Sequence, residues 1–189
     1  MSPIMPISVG LPPSIGVELA ISPPSFRLSD RVRLLVTAIS NASEPITIYT
    51  WPNIFNPEVA QTGGSLVAFD KDIHEELKMH PMDVKLGPVN FTLGSDDDRF
   101  FVTLEPGKPS SVIYTPFLYG FETLPGHRYL VDLQETDNVG WWKRGRKEDV
   151  LNLPGKDRGA HIPDGKLILL SLDSTQLSSS FGLWMTRWI

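Results

Sequence analysis

The amino-acid sequence predicts an all-β protein built as a sandwich of antiparallel strands. Apolar and polar residues alternate in many short segments, which is the pattern of half-buried strands. Turn signals separate these segments at intervals of roughly 10–20 residues, as in β-sandwiches. The chain also holds 17 prolines and 15 glycines in 189 residues, which favours short elements over long helices.

The first strands are the clearest. Val17, Leu19 and Ile21 alternate with polar neighbours and indicate a strand with one buried face. The same alternation runs through residues 31–40. β-Branched and aromatic residues at 46–51 indicate a third strand.

Later segments show the same succession of short strands and turns. Residues 166–173 are almost continuously apolar, which predicts a central strand covered on both faces. Helical patterns are confined to 72–80 and, more weakly, 143–152. The remaining strands are expected at 65–69, 99–104, 110–117, 128–134 and 180–188, with less certain ones at 83–87 and 89–93.

The chain reads as a single domain over 1–189, since no linker or internal repeat divides it. Residues 1–15 are rich in proline and form an irregular lead-in. Residues 137–165 form a long polar loop between two strands. An insertion of that length is more often functional than a simple connection.

The composition of the chain limits the cellular compartment, the binding partners and the cofactors that are expected. The net charge is −5, which provides no general attraction to nucleic acid or anionic lipid. The chain has no cysteine, which excludes disulfides, thiolate metal sites and cysteine nucleophiles. With neither a signal peptide nor an apolar run long enough to span a bilayer, a cytoplasmic protein is expected. No cofactor-binding motif is present, so no cofactor is expected.

A resemblance to a known module covers the region from Arg31 to Leu133, a little over half of the chain. The segments "RVRLLVTAISNASEPITIYTWPNIFN", "RFFVTLEPGKPSSV" and "LPGHRYLVDL" resemble the immunoglobulin-like β-sandwich that precedes the catalytic domain of deuterolysin-type metalloendopeptidases. The resemblance implies an immunoglobulin-like sandwich of about eight or nine strands. It carries over no catalytic residue, because the chain lacks the H-E-x-x-H signature of those peptidases.

Two segments bear on metal binding. His74 and His80 lie six residues apart in "HEELKMH", whereas a zinc-binding helix places its histidines at i and i+4. The aspartates of "SDDDR", at 95–99, are consecutive and cannot all converge on calcium, so a solvated hairpin tip is expected. No metal site is predicted, although loops distant in sequence remain able to assemble one.

The segment "GWWKRGRK" is the most unusual part of the long loop. Trp141 and Trp142 are predicted to stack on a ligand, with Lys143, Arg144 or a neighbouring base holding an anionic group. A nucleic-acid patch is the weaker reading in an acidic chain. The alternative is that Trp141 packs on the sandwich while the basic side chains remain solvated.

Aromatic residues near the ends of strands suggest a second part of the same site. They would line an apolar pocket where sandwich loops cluster, or else cap the core. His127 and His161 are the candidate acid–base residues because each adjoins a loop. The aromatic candidates for ligand contact are Trp51, Phe55, Phe117, Tyr119 and Trp184.

Three functions therefore remain open. The leading hypothesis is a non-peptidase protein that binds a hydrophobic small molecule or a protein partner through its aromatic loop end. The second is a cofactor-independent cyclase or isomerase of a fungal-type natural-product pathway, which needs only a shaped pocket and one or two acid–base groups. The third is an accessory or inhibitor-like interaction domain.

Overall fold

The computed structural model of the protein describes residues 13–27, 31–51, 53–57, 59–60, 64–78, 87–115, 123–135, 137–172 and 183–188. Within these ranges the structure is all-β, as the sequence predicts, with one 3₁₀ helix (Asp96–Phe100) and one α-helical turn, α1 (Lys147–Val150). The strands are β1 (Ile15–Ser22), β2 (Ser25–Arg27), β3 (Arg33–Ser40), β4 (Ile46–Tyr49), β5 (Leu66–Asp70), β6 (Glu75–Glu76), β7 (Phe101–Leu104), β8 (Pro109–Tyr114), β9 (Arg128–Leu133), β10 (Asn138–Val139), β11 (Trp142–Arg144), β12 (Ile168–Leu172) and β13 (Leu183–Trp188).

The first sheet has the strand order β10-β12-β1-β3-β8. β1 and β3 pair antiparallel along their full length, from Ile15 opposite Ser40 to Ser22 opposite Arg33. Inward residues of this pair, such as Leu34, are fully buried. One buried face and one accessible face explain the alternation seen in the sequence.

The second sheet has the order β2-β13-β9-β5-β6, and a third, smaller sheet has the order β11-β4-β7. β5 and β9 pair antiparallel, with Leu66 opposite Leu133 and Asp70 opposite Tyr129. Asp70 therefore lies beside the start of β9. β13 runs between β9 and β2, antiparallel to the first and parallel to the second.

The three sheets share one continuous apolar core, which gives the layered arrangement of a β-sandwich. A smaller cluster forms beneath the third sheet, from Phe101, Trp141, Val150 and Leu151. The main core joins Ile15, Val17, Leu34 and Val36 of the first sheet, Leu66, Ala68, Tyr129 and Val131 of the second, and Ile46, Ile48 and Trp142 of the third.

The predicted helix at 72–80 is wrong over its described part. The Asp70 carboxylate accepts the backbone N–H groups of Asp72 at 2.9 Å and Ile73 at 3.3 Å. Aspartate commonly closes a turn in this way. His74 then adopts a φ of 60°, which no right-handed helix accommodates, and β6 returns to pair with β5.

The segment 137–165 contains more structure than the predicted long loop. β10, β11 and α1 lie within it, and β11 pairs with β4 in the third sheet. The weak helical pattern at 143–152 corresponds only to the single turn of α1. The three aspartates of the segment 95–99, which are Asp96, Asp97 and Asp98, all lie in the 3₁₀ helix rather than at a hairpin tip. No helix in the described ranges is long and apolar enough to cross a membrane.

One strand prediction is also corrected. β12 lies between β10 and β1, but its Leu169 side chain is 61% exposed. The strand is therefore covered on one face rather than two. Of the two less certain strands, residues 83–86 lie outside the described residues, and 89–93 contributes only a bridge between Thr92 and Asn152.

Candidate functional site

A recess lined by aromatic side chains opens beside the end of β4. We call it the aromatic recess. Its volume is about 220 Å³, below the range of roughly 300–1,000 Å³ that holds drug-sized ligands, so it suits one small ring system. It is lined by Tyr49, Trp51, Gly87, Pro88, Val89, Asp97, Arg99 and Phe100.

Hydrogen bonds to backbone carbonyls position the Trp51 and Phe100 rings at the centre of the recess. The N–H of Tyr49, the last residue of β4, donates to the Trp141 carbonyl at 3.1 Å. Thr50 donates to the Phe100 carbonyl twice, from its N–H at 2.8 Å and from its hydroxyl at 2.9 Å. Because Thr50 is fixed to Phe100, the next residue, Trp51, is held beside the Phe100 ring.

The rings pack in edge-to-face contacts. The centroids of Trp51 and Phe100 lie 5.0 Å apart at 63°, and those of Tyr49 and Phe100 lie 6.4 Å apart at 87°. The Arg99 guanidinium carbon lies 4.5 Å from the Phe100 centroid. Such geometries are the favourable ones for aromatic pairs and cation–π contacts, so the lining is preformed.

Charged and polar groups surround these rings. The Asp97 carboxylate accepts the backbone N–H of Asn90 at 2.7 Å, which joins the 3₁₀ helix to the segment before it. Burial, and then the negative charge of Asp97, raise the pKa of the Tyr49 phenol. That phenol therefore stays protonated at neutral pH and can donate a hydrogen bond.

The predicted tryptophan platform lies inside the protein. Trp141 is 7% exposed and Trp142 is 1% exposed. The indole N–H of Trp141 donates to the Ala160 carbonyl at 3.1 Å, and that of Trp142 donates to the Lys166 carbonyl at 2.8 Å. Both rings thus fasten residues 159–166 onto the sandwich, and neither offers a face for stacking on a ligand.

The basic residues of the same segment are engaged within the chain. Lys143 donates to the carbonyls of Ile162 at 2.9 Å and Gly159 at 3.3 Å. The other contacts are Arg144 with Glu44 at 3.3 Å, Arg146 with Glu105 at 2.9 Å and Lys147 with Asp98 at 3.3 Å. The structure thus gives Lys143 and Arg144 local partners in place of the predicted ligand anion.

The remaining predicted residues do not form one site. Phe55 is 6% exposed and belongs to the main core, so it does not face a ligand. His161 is exposed on a turn. Phe117 and Tyr119 lie outside the described residues, and Trp184 is described only as part of the β13 backbone.

His127 has a partner that sequence reasoning missed. Its Nδ1 lies 2.6 Å from a carboxylate oxygen of Asp70, whose side chain is 1% exposed against 25% for His127. Asp70 ends β5, and His127 directly precedes β9. The antiparallel pairing of these strands brings the two residues together.

Asp72 completes an ionic cluster beside this pair. Its carboxylate accepts hydrogen bonds from the backbone N–H of Arg128 at 2.6 Å and from the Nη2 and Nε atoms of its guanidinium at 2.8 Å and 3.1 Å. These bonds hold the pKa of Asp72 below its usual range. Asp70, Asp72 and His127 each place a possible metal-ligand atom within 4.8 Å of the others. A bound cation would have to displace the guanidinium, so these residues fit an ion pair better than a metal.

His127 and the aromatic recess are separate features, because the residues that line the recess include neither Asp70 nor His127 and none of them lies in β5 or β9. Asp70 and His127 mark one end of the β5–β9 pair, and Ser65 marks the other. At that other end Asp137 accepts the Ile54 N–H at 3.0 Å and the Ser65 hydroxyl at 3.3 Å.

Asp137 itself has a testable effect on stability. Burial raises its pKa above the ordinary value despite its hydrogen bonds from Ile54 and Ser65. A carboxyl with a raised native-state pKa contributes stability that is complete below the unfolded-state pKa, about 3.9, and is lost as pH rises through the native-state value. In the Asp137→Asn variant position 137 no longer titrates. Relative to that variant, the wild type should lose unfolding free energy as pH rises from about 3. Urea unfolding at several pH values measures the difference in unfolding free energy between the two proteins. A difference that does not change with pH would contradict the raised pKa of Asp137.

Comparison with known proteins assigns no family to the chain. No protein-family model matches it, and a search of curated proteins found no match. The similarity to the deuterolysin accessory module therefore stays a prediction.

Proposed function

We propose that this protein binds a small aromatic or flat hydrophobic molecule in the aromatic recess. The observation that carries the proposal is the Trp51–Phe100 pair, whose rings line a space of about 220 Å³. Both side chains are only half-buried. Binding a ring there would cover apolar surface that now faces water, which contributes about 25 cal/mol per Å².

The polar groups at the recess define which ring would fit best. The Tyr49 hydroxyl supplies a donor, and Arg99 supplies positive charge at the rim, while Asp97 supplies negative charge. A ring that carries one hydrogen-bond acceptor suits this set, because small-molecule sites combine apolar walls with a few placed polar groups. Together with the net charge of −5, these features favour a small metabolite over nucleic acid.

An immunoglobulin-like framework is part of this proposal. The order β13-β9-β5-β6 is compatible with the G-F-C-C′ sheet of such a sandwich, and β1-β3-β8 is compatible with its A-B-E sheet. The Tyr129 hydroxyl donates to the Leu124 carbonyl at 2.8 Å, as in the tyrosine corner of that fold. The recess would then lie among loops at one end of the sandwich, where binding sites commonly occur.

A cyclase or isomerase activity in the recess has less support. The described lining offers one carboxylate, one phenol and one guanidinium, but no histidine. A protein partner that inserts an aromatic side chain remains the rival occupant, and with it the accessory or inhibitor-like role.

Ligand-observed NMR with 1-naphthol, indole and benzoate tests the proposal. At least one probe should bind, and Trp51→Ala should weaken its binding about tenfold or more, because ring contacts and their buried area together exceed about 1.4 kcal/mol. Phe100→Leu should have a similar effect. Leu169→Ala is the matched control, since it removes an exposed apolar side chain from β12, and it should change nothing.

Two outcomes would contradict small-molecule binding in the recess. The first is that no probe binds the wild type. The second is that binding persists unchanged in both recess variants while circular dichroism shows them folded.

A further inference from the structure

We propose that His127, oriented by Asp70, is a nucleophile that takes acyl groups from small apolar esters. This activity is independent of the ligand proposed for the aromatic recess, whose lining residues include neither Asp70 nor His127. It rests on the geometry of the Asp70–His127 pair, on the accessibility of one ring nitrogen and on the apolar side chains nearby.

The hydrogen bond to Asp70 fixes the state of the imidazole. Asp70 Oδ2 lies 2.6 Å from Nδ1 of His127, and a carboxylate can only accept, so Nδ1 carries the proton. The lone pair of neutral His127 is therefore on Nε2. No described residue hydrogen-bonds Nε2, and the His127 side chain is 25% exposed, so Nε2 is the nitrogen that a substrate can reach.

Asp70 is held firmly enough to orient the ring. Its side chain is 1% exposed. Oδ1 accepts the backbone N–H groups of Asp72 and Ile73, which leaves Oδ2 for His127. A carboxylate bound at both oxygens cannot rotate away from the imidazole without leaving buried polar groups unpaired.

The surroundings favour an uncharged, apolar acyl group. Ile73 is 46% exposed and lies in the turn that Asp70 closes, and Leu124 is 49% exposed. The Leu124 carbonyl accepts the backbone N–H of His127 at 3.4 Å, so Leu124 and His127 belong to the same turn. The positive charge of Arg128, the residue after His127, is paired with the Asp72 carboxylate at 2.8 Å.

The chemical step is a simple acyl transfer. Nε2 of His127 attacks the ester carbonyl carbon, the bond to the alcohol oxygen breaks, and the alkoxide or phenolate leaves with the electron pair. The positive charge on the acylated ring is stabilised by the Asp70 carboxylate at Nδ1. Water then attacks the acyl-imidazolium, which releases the carboxylic acid and restores the lone pair on Nε2. The second proton of the water passes through solvent to the alkoxide or phenolate that left in the first step. Atoms and charge balance with no oxidant, metal or co-substrate.

Hydrolysis of p-nitrophenyl butyrate by the full-length protein tests the proposal. His127→Gln should abolish the rate above that of buffer, and Asp70→Asn should lower it about tenfold or more, because the amide supplies no charge and can reverse the tautomer. His161→Gln and His74→Gln are matched controls: both side chains are exposed, and their loss should leave the rate unchanged. A rate that survives in His127→Gln, or one that falls equally in the controls, would overturn the proposal.

The positioning role of Asp70 has its own readout. In the ¹⁵N spectrum of labelled wild-type protein above the titration range of histidine, His127 should show a protonated Nδ1 and an unprotonated Nε2. The exposed His161 should show a mixture of tautomers. This measurement needs no variant, so it applies even if Asp70→Asn fails to fold, and a mixed tautomer at His127 would refute the orienting role.

Discussion

Replacing Trp142 by alanine is expected to lower the free energy of unfolding by about 3–5 kcal/mol, the usual cost of removing a large aromatic side chain from a core. The Trp142 side chain is 1% exposed and belongs to the main core. Its ring packs so closely on Gly165 that a Cβ there would lie 3.0 Å from Cζ2. The space vacated by the indole would therefore open between the third sheet and residues 159–166.

Chemical denaturation of the wild type and of Trp142→Ala measures this loss. Trp142→Phe is the matched control, because it keeps most of the apolar volume and removes the N–H bond to the Lys166 carbonyl. It should retain a large part of the stability. A loss below about 1 kcal/mol in the alanine variant would contradict the burial of Trp142 and would revive its predicted role as a platform for a ligand.

The burial of Trp142 shows where sequence reasoning reached its limit. A pair of tryptophans between glycines and basic residues looks like a surface feature, because nothing nearby in the sequence indicates a covering layer. The cover comes from residues 159–166, whose carbonyls accept the indole N–H groups. Neither the pairing of β11 with β4 nor this cover can be deduced from local pattern, since both depend on contacts distant in sequence.

Strands in which apolar and polar residues alternate regularly were predictable because that pattern is local in the sequence. Residues 31–40 carry apolar side chains at every second position, and β3 occupies most of that range. Local pattern is sufficient there because one face packs on the core along the whole strand. It was not sufficient at 72–80, where helical spacing of side chains was outweighed by the turn that Asp70 closes and by the pairing of β6 with β5.

In each candidate site, local sequence identified one residue but not the residue beside it. Trp51 and His127 were identified as candidates because each adjoins a loop. Their partners were not predicted. Phe100 lies beside Trp51 because Thr50 donates two hydrogen bonds to the Phe100 carbonyl, and Asp70 lies beside His127 because of the register of β5 with β9. Local sequence can identify one functional residue, but contacts between distant segments, such as the register of a sheet, determine which second residue lies beside it.

Replacing Tyr129 by phenylalanine is expected to lower the free energy of unfolding by about 1–3 kcal/mol, because it removes a single hydroxyl that serves two backbone groups. That hydroxyl donates to the Leu124 carbonyl and accepts the Leu124 N–H. The Tyr129 side chain is fully buried, so water cannot easily replace the lost bonds. The damage should be centred on residues 124–127, which lead into β9.

Amide hydrogen exchange locates the effect and separates it from a general loss of packing. In Tyr129→Phe, exchange at Leu124 and His127 should accelerate more than exchange in β1 or β3, since the corner is loosened while the sheets are retained. Tyr49→Phe is the matched control, because no described residue hydrogen-bonds the Tyr49 hydroxyl. Its unfolding free energy should change by less than about 0.5 kcal/mol. Equal losses in the two variants would show that the hydroxyl contacts of Tyr129 do not fix the entry to β9, and the position of His127 would then need another cause.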